Sequence, residues 1–190
     1  MIKGKSTYQS KNSLRLKGYD YSAEGVYFIT ILTKNRICHF GEVVNKKMNL
    51  SDAGKIVENE WKKTEEIRKE AVLGNWIVMP DHFHALIAFR SKEEQDRNLP
   101  SVKAHGHALL QGRKSIAYKN TFGPQSRNLS ALVRSFKATC TSKIRSQINP
   151  NFAWHKSFHD RIVRNQKELI NIENYIISNP ARYVQQFSNT

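Results

Sequence analysis

This chain of 190 residues is short of cysteine, of acidic side chains relative to basic ones, and of long apolar runs. Its two cysteines, Cys38 and Cys140, are too few for a disulfide framework. Each lies in its own apolar stretch, where it reads as a small core residue and not as a zinc ligand. No apolar run is long enough to span a bilayer. The first residues are basic and polar with no apolar segment behind them, so no signal peptide is expected. Secreted and membrane classes are thereby disfavoured, and a reducing cytoplasm is the expected compartment. Acidic residues number 16 against 31 Lys and Arg, leaving a net charge of +15. Such an excess calls for an anionic partner, nucleic acid first among them. The length suits one domain with a real core.

Periodicity then divides the chain. Residues 1–24 are rich in Lys, Ser, Tyr and Arg without a regular pattern and read as a basic arm. Residues 25–190 read as a single domain carrying a long insertion at about 91–128, where Gly, Pro, Lys and Arg replace any apolar period. Gly25–Thr33 reads as a strand. A turn at Lys34-Asn35-Arg36 leads to a second strand over 37–44, expected to pair with the first, with Gly41 as a bulge. Ser51 suits a helix N-cap, followed by Ala53, Val57, Trp61, Thr64 and Ile67 at helical spacing. Ser130 is placed to cap a second helix with the stripe Leu132, Phe136, Cys140, Ile144 and Ile148. Phe158–Arg164 reads as a short strand. Asn165 caps a third helix, with Glu168 in capping-box position. Its stripe is Leu169, Ile172 and Ile176, widened by Ile170 and Ile177, and Pro180 is expected to end it. This order predicts an α+β fold, an antiparallel sheet with helices packed on one side.

Chemistry concentrates in Met79-Pro80-Asp81-His82-Phe83-His84. Pro80-Asp81 reads as a tight turn between two apolar, β-branched and aromatic flanks, hence a buried hairpin. Strand alternation sends His82 and His84 to one face and Phe83 to the other. Two imidazoles on one face are a natural pair of metal ligands, although two such histidines are more often structural. His105 and His107 share the spacing but sit among Gly, Lys and Arg and read as a loop feature. Arg134 and Lys137 make the outer face of the second helix basic, as a phosphate-facing surface would be. Tyr175 lies off the centre of the third helix's stripe, and Asn179 one turn on shares its face. By spacing alone both are ordinary helix residues.

Three segments together resemble one family. Met79–His84 resembles the His-hydrophobic-His motif of the HUH single-strand nucleases. Trp154–Arg164 resembles the segment before the last helix of single-tyrosine transposases. Tyr175-Ile176-Ile177-Ser178-Asn179-Pro180 is similar to that helix's Tyr-Ile-x-x-Asn-Pro signature. The set is similar to the REP-associated tyrosine transposases and their insertion-sequence relatives, over about residues 25–90 and 129–183. The resemblance implies a ferredoxin-like fold of the HUH endonuclease type. It implies a metal-dependent single-strand DNA endonuclease or transposase that cleaves and rejoins DNA near hairpins through a 5′-phosphotyrosine intermediate. Tyr175 would be the nucleophile, and His82, His84 and Asn179 would hold a divalent ion, Mg²⁺ or Mn²⁺. Single-stranded or hairpin DNA would be the partner, with Arg134, Lys137, Arg161 and Arg164 as phosphate contacts. Homodimer formation is left open, and no membrane is implied. Two rival readings remain at this stage: a non-catalytic nucleic-acid-binding domain on the same fold, and a phosphoesterase in which the ion activates water.

Overall fold

The computed structural model describes residues 25–90 and 128–188, with side chains as far as Tyr183. The basic arm, most of the insertion and the His105/His107 pair lie outside the described residues.

Four strands form an antiparallel sheet in the order β4-β5-β1-β6: β1 Gly25–Leu32, β4 Ala71–Met79, β5 His82–Phe89 and β6 His159–Val163. Helix α1 (Asp52–Ile67) joins β1 to β4, and α2 (Leu129–Gln147) lies between β5 and β6. This is the β-α-β-β-α-β arrangement of ferredoxin-like folds, followed by a last helix, α3, Gln166–Ser188. A separate hairpin, β2 Gly41–Val44 with β3 Lys47–Leu50, stands between β1 and α1.

The expected class holds, with α1 and α2 packed on one side of the sheet. On that side Tyr27, Ile29, Ile31, Phe83, Ala85 and Ile87 meet Val57 and Trp61 of α1 and Leu132, Phe136 and Cys140 of α2. Phe83 lies against Trp61 and Phe136, with ring centroids 4.9 and 5.4 Å away. Such aromatic pairs add about 0.5–1.5 kcal/mol each to the burial itself. The opposite side carries Val26, Leu86, Ala88 and Val163 and is covered by Leu169, Ile172 and Ile176 of α3. Every residue of β5 is buried as a result.

Several local expectations change. The segment after Lys34–Arg36 does not pair with β1; Gly41–Val44 turns back on Lys47–Leu50 instead. Asn45 and Lys46 both have positive φ, 50° and 62°, which suits a tight two-residue hairpin. Gly41 is not a bulge in a longer strand but opens β2 at φ 128°, with a Cβ site only 2.0 Å from the Asn49 carbonyl oxygen. Asn128, not Ser130, caps α2, its side chain accepting from the Ala131 N–H at 2.9 Å. Cys140 is buried as expected, whereas Cys38 is exposed. Ile67, Ile148, Ile170 and Ile177 are exposed rather than part of their stripes, because each stripe's contact with the sheet is narrower than its apolar residues suggest. Pro180 does not end α3; the helix runs on to Ser188. The missing Pro180 N–H costs one helical bond, and the following turn is held by tertiary contacts of Tyr183, whose hydroxyl lies 3.7 Å from Cys38 Sγ. The caps at Ser51 and Asn165 form as expected, accepting from the N–H groups of Gly54 and Glu168.

Gly54 lies where α1 begins, directly under the Phe40 carbonyl. A Cβ there would fall 2.2 Å from that oxygen. Alanine favours a helix over glycine by about 1 kcal/mol, but an overpacked contact with backbone costs about 1–3 kcal/mol. A backbone oxygen at 2.2 Å cannot swing aside, so the upper part of that cost applies, and Gly54→Ala is expected to lower stability by about 1–2 kcal/mol. The urea midpoint should fall at unchanged slope, and an unchanged or higher midpoint would refute the steric account.

Candidate active site

The site lies on the face of the sheet that α3 covers. Register places Thr30 opposite His84 and Leu32 opposite His82, while His159 and Arg161 of β6 stand opposite Thr30 and Phe28. Alternation therefore brings these side chains to one surface, with Phe83 on the other. The two imidazoles lie 4.6 Å apart between ring centroids. Both histidines are buried.

Each ring is held at Nδ1. His82 Nδ1 lies 2.6 Å from Asp81 Oδ1, and His84 Nδ1 lies 2.9 Å from Thr30 Oγ1. His84 also stacks on Phe28 at 5.2 Å. Burial, reinforced by the neighbouring His82, drives the His84 pKa down to about 3, so its ring is neutral at physiological pH. Burial pushes the Asp81 carboxyl up, but His82 and Arg36 outweigh it and leave the group more acidic than an ordinary aspartate.

The last helix brings Tyr175 to this pair. Its hydroxyl lies 3.4 Å from His84 Nε2, and its ring meets those of His84 and Phe28 at 5.3 and 6.1 Å. With Nδ1–H of His84 donated to Thr30, Nε2 accepts from the phenol; this assigns the tautomer from the network. Asn179, one turn further along α3, is buried. Tyr183, a second turn on, places its ring 6.4 Å from that of His82.

The predicted cations separate into two groups. Arg161 lies on the site face, its Nε donating to Glu168 Oε1 at 2.5 Å. Arg164 follows it at the end of β6 with an exposed side chain, and its backbone N–H donates to Glu168 Oε2. Arg134 and Lys137 lie on α2, across the sheet from the histidines. Arg134 is exposed, but Lys137 Nζ donates to the carbonyls of His155 and Lys156 and so braces that loop. Sequence reasoning missed Arg36, whose Nε lies 2.6 Å from Asp81 Oδ2, and Arg182, whose guanidinium lies over the Tyr175 ring at 5.6 Å. Arg182 could have been found from its position seven residues, two helical turns, after Tyr175. Nothing local in the sequence links Arg36 to Asp81.

Among the described residues, no three or more His, Cys, Asp or Glu side chains come together as a metal site. A divalent ion would thus need a donor of another kind beside the two histidines, and Asn179 is a buried amide on the adjoining helix. The histidines themselves fit the task. An imidazole ligand is neutral and has its other nitrogen engaged by an oxygen partner, as both rings do here. The same His84 nitrogen cannot accept the phenol proton and hold an ion at once.

No protein-family model matches the chain. A REP-associated tyrosine transposase solved in complex with a REP hairpin shares the architecture with a TM-score of 0.51, covering 87% of this chain and 72% of that one at 16% identity. At that identity the likeness speaks for the fold alone, a ferredoxin-like antiparallel sheet with packed helices. In sequence, the chain is 32% identical over 176 residues to an uncharacterized protein of Haemophilus influenzae, covering 92% of this chain and 91% of that one. The chain belongs to the same family as that Haemophilus protein. None of the helices among the described residues is long and apolar enough to cross a membrane.

The buried His84 sets a pH dependence. Its folded pKa lies below the ordinary imidazole value of 6.5, so between about pH 6.5 and 3 the unfolded chain binds a proton that the folded chain does not. Stability is complete above that window and falls as the pH drops into it, by about 2 kcal/mol between pH 7 and 5. Denaturation in urea should show this loss in the wild type and a clearly smaller one in His84→Gln. Equal losses in both proteins would mean that His84 is not the group responsible.

Proposed function

We propose that the protein is a metal-dependent single-strand DNA endonuclease and transposase that cuts and rejoins DNA beside hairpins through a 5′-phosphotyrosine at Tyr175. The observation that carries this reading is the 3.4 Å approach of the Tyr175 hydroxyl to His84 Nε2, between elements 91 residues apart in sequence. The REP hairpin bound by the transposase of shared fold supports hairpin DNA as the substrate class, and the net charge of +15 suits a polyanion.

In the proposed reaction the Tyr175 oxygen attacks the scissile phosphorus. The tyrosine O–P bond forms as the bond from phosphorus to the 3′ oxygen breaks. The phenol gives up its proton and the leaving oxygen gains one, so the products are a 5′-phosphotyrosine and a free 3′-OH. One phosphodiester replaces another, and the bond energy is kept for rejoining. His82 and His84, through Nε2, and Asn179 would hold Mg²⁺ or Mn²⁺, which when bound polarises the phosphate oxygens. The chain's own cations do the rest. Arg182, beside the nucleophile, and Arg161 and Arg164, at the same sheet edge, attract and hold the strand. Tyr175 and His84 come from one chain, so this pairing needs no second copy. Arg134 and Lys137 lie on the opposite face, away from the nucleophile.

The test is a 3′-labelled oligonucleotide, a hairpin with single-stranded flanks, incubated with the protein and Mn²⁺. The label should move into a denaturant-resistant protein adduct. Tyr175→Phe should form none, and His82→Ala should lose roughly 100-fold or more in cleavage while still shifting the oligonucleotide on a gel. Cleavage without an adduct would replace this reading with the phosphoesterase. Binding without cleavage would replace it with the binding module.

A further inference from the structure

His82 and His84 are held in different ways. His84 faces a neutral hydroxyl, Thr30. His82 faces a buried carboxylate, Asp81, at 2.6 Å, and the other oxygen of that carboxylate lies 2.6 Å from Arg36 Nε. Arg36, Asp81 and His82 thus form a continuous line from solvent to the site: the Arg36 side chain is 54% exposed and that of Asp81 only 6%.

The backbone around this line is specialised to make it. Asp81 is the second residue of the β4–β5 turn, and its carbonyl accepts from the Thr33 N–H at 2.9 Å and the Thr33 hydroxyl at 3.0 Å. Those bonds dock the Lys34–Arg36 turn onto the hairpin. Within that turn Asn35 and Arg36 both take φ of 57°. Asparagine tolerates this left-handed conformation; arginine rarely adopts it. Strained backbone persists where surrounding contacts over-determine it, and such sites cluster around function. Here the strained residue is the one whose side chain meets Asp81.

We propose that Asp81 and Arg36 are positioning residues for His82: Asp81 accepts from His82 Nδ1–H and leaves the Nε2 lone pair aimed into the site, while Arg36 fixes the carboxylate that does so. This rests on the proposed role of His82 as an ion ligand. A carboxylate behind an imidazole sets its tautomer and raises its basicity as a ligand, and Arg36 holds the Asp81 carboxylate oriented at the turn. The two ligands are then unequal: His82, with the charged partner, is the stronger.

Two measurements on DNA-free protein test this. The first is the ring ¹⁵N spectrum of His82 at pH 8, expected to show the Nδ1–H tautomer in the wild type and a mixture with Nε2–H in Asp81→Ala. The second is Mn²⁺ affinity by titration calorimetry. Asp81→Ala should weaken it roughly 10- to 100-fold, Asp81→Asn less, since its amide oxygen still accepts, and Arg36→Gln by a smaller factor than Asp81→Ala. Arg36→Gln also serves if Asp81→Ala does not fold, because it leaves the turn and the buried aspartate in place. An Nε2–H tautomer in the wild type, or unchanged Mn²⁺ affinity in folded Asp81→Ala or in Arg36→Gln, overturns the proposal. A wild type that binds no Mn²⁺ overturns the ion-ligand reading itself, and the tautomer then decides the orienting role alone.

Discussion

Strand β5 is buried on both faces, and its alternation organises the molecule. Phe83, Ala85 and Ile87 serve the core made with α1 and α2, while His82, His84, Leu86 and Ala88 serve the layer closed by α3. A slip of one residue would send the imidazoles into the aromatic cluster and Phe83 out to the site. Phe83, wedged between Trp61 and Phe136, prevents that slip. The packing that stabilises one side of the sheet therefore fixes the orientation of the polar groups on the other.

Burial then acts on the chemistry. An apolar face covered by Ile172 and Ile176 penalises charge, and this is why the His84 ring stays neutral. A neutral His84 ring with its Nδ1 engaged keeps the Nε2 lone pair for accepting. Across the sheet the same basic composition does different work, as Lys137 shows by tying down the 155–156 loop instead of facing solvent. Position relative to the sheet separates Arg182, which stands beside Tyr175, from Lys137, which braces the fold.

The elements with strong periodic or capping signals were legible. Strand β1, the Pro80-Asp81 hairpin, the Ser51 and Asn165 caps and the core stripes of α1 and α2 follow from residue type and spacing. The β2–β3 hairpin was not, because its signal is a short Asn45-Lys46 turn between strands of only four residues each. Pro180 misled for a related reason. Its local penalty is real, but contacts of the next turn with the β1–β2 connection and the His82 ring outweigh it. The exposed Cys38 likewise reflects a loop that leaves the sheet where a paired strand was expected.

Sequence by itself determined that His82 and His84 share a face, that Phe83 opposes them, and that Tyr175 and Asn179 lie one turn apart on a helix. Those are consequences of the two- and 3.6-residue periods, which need only the local chain. Tertiary structure alone decided that the phenol meets His84 and that Arg36 reaches across from a strained turn to Asp81. These contacts join segments tens of residues apart, and their geometry is set by how the sheet and helices pack, which no local pattern encodes.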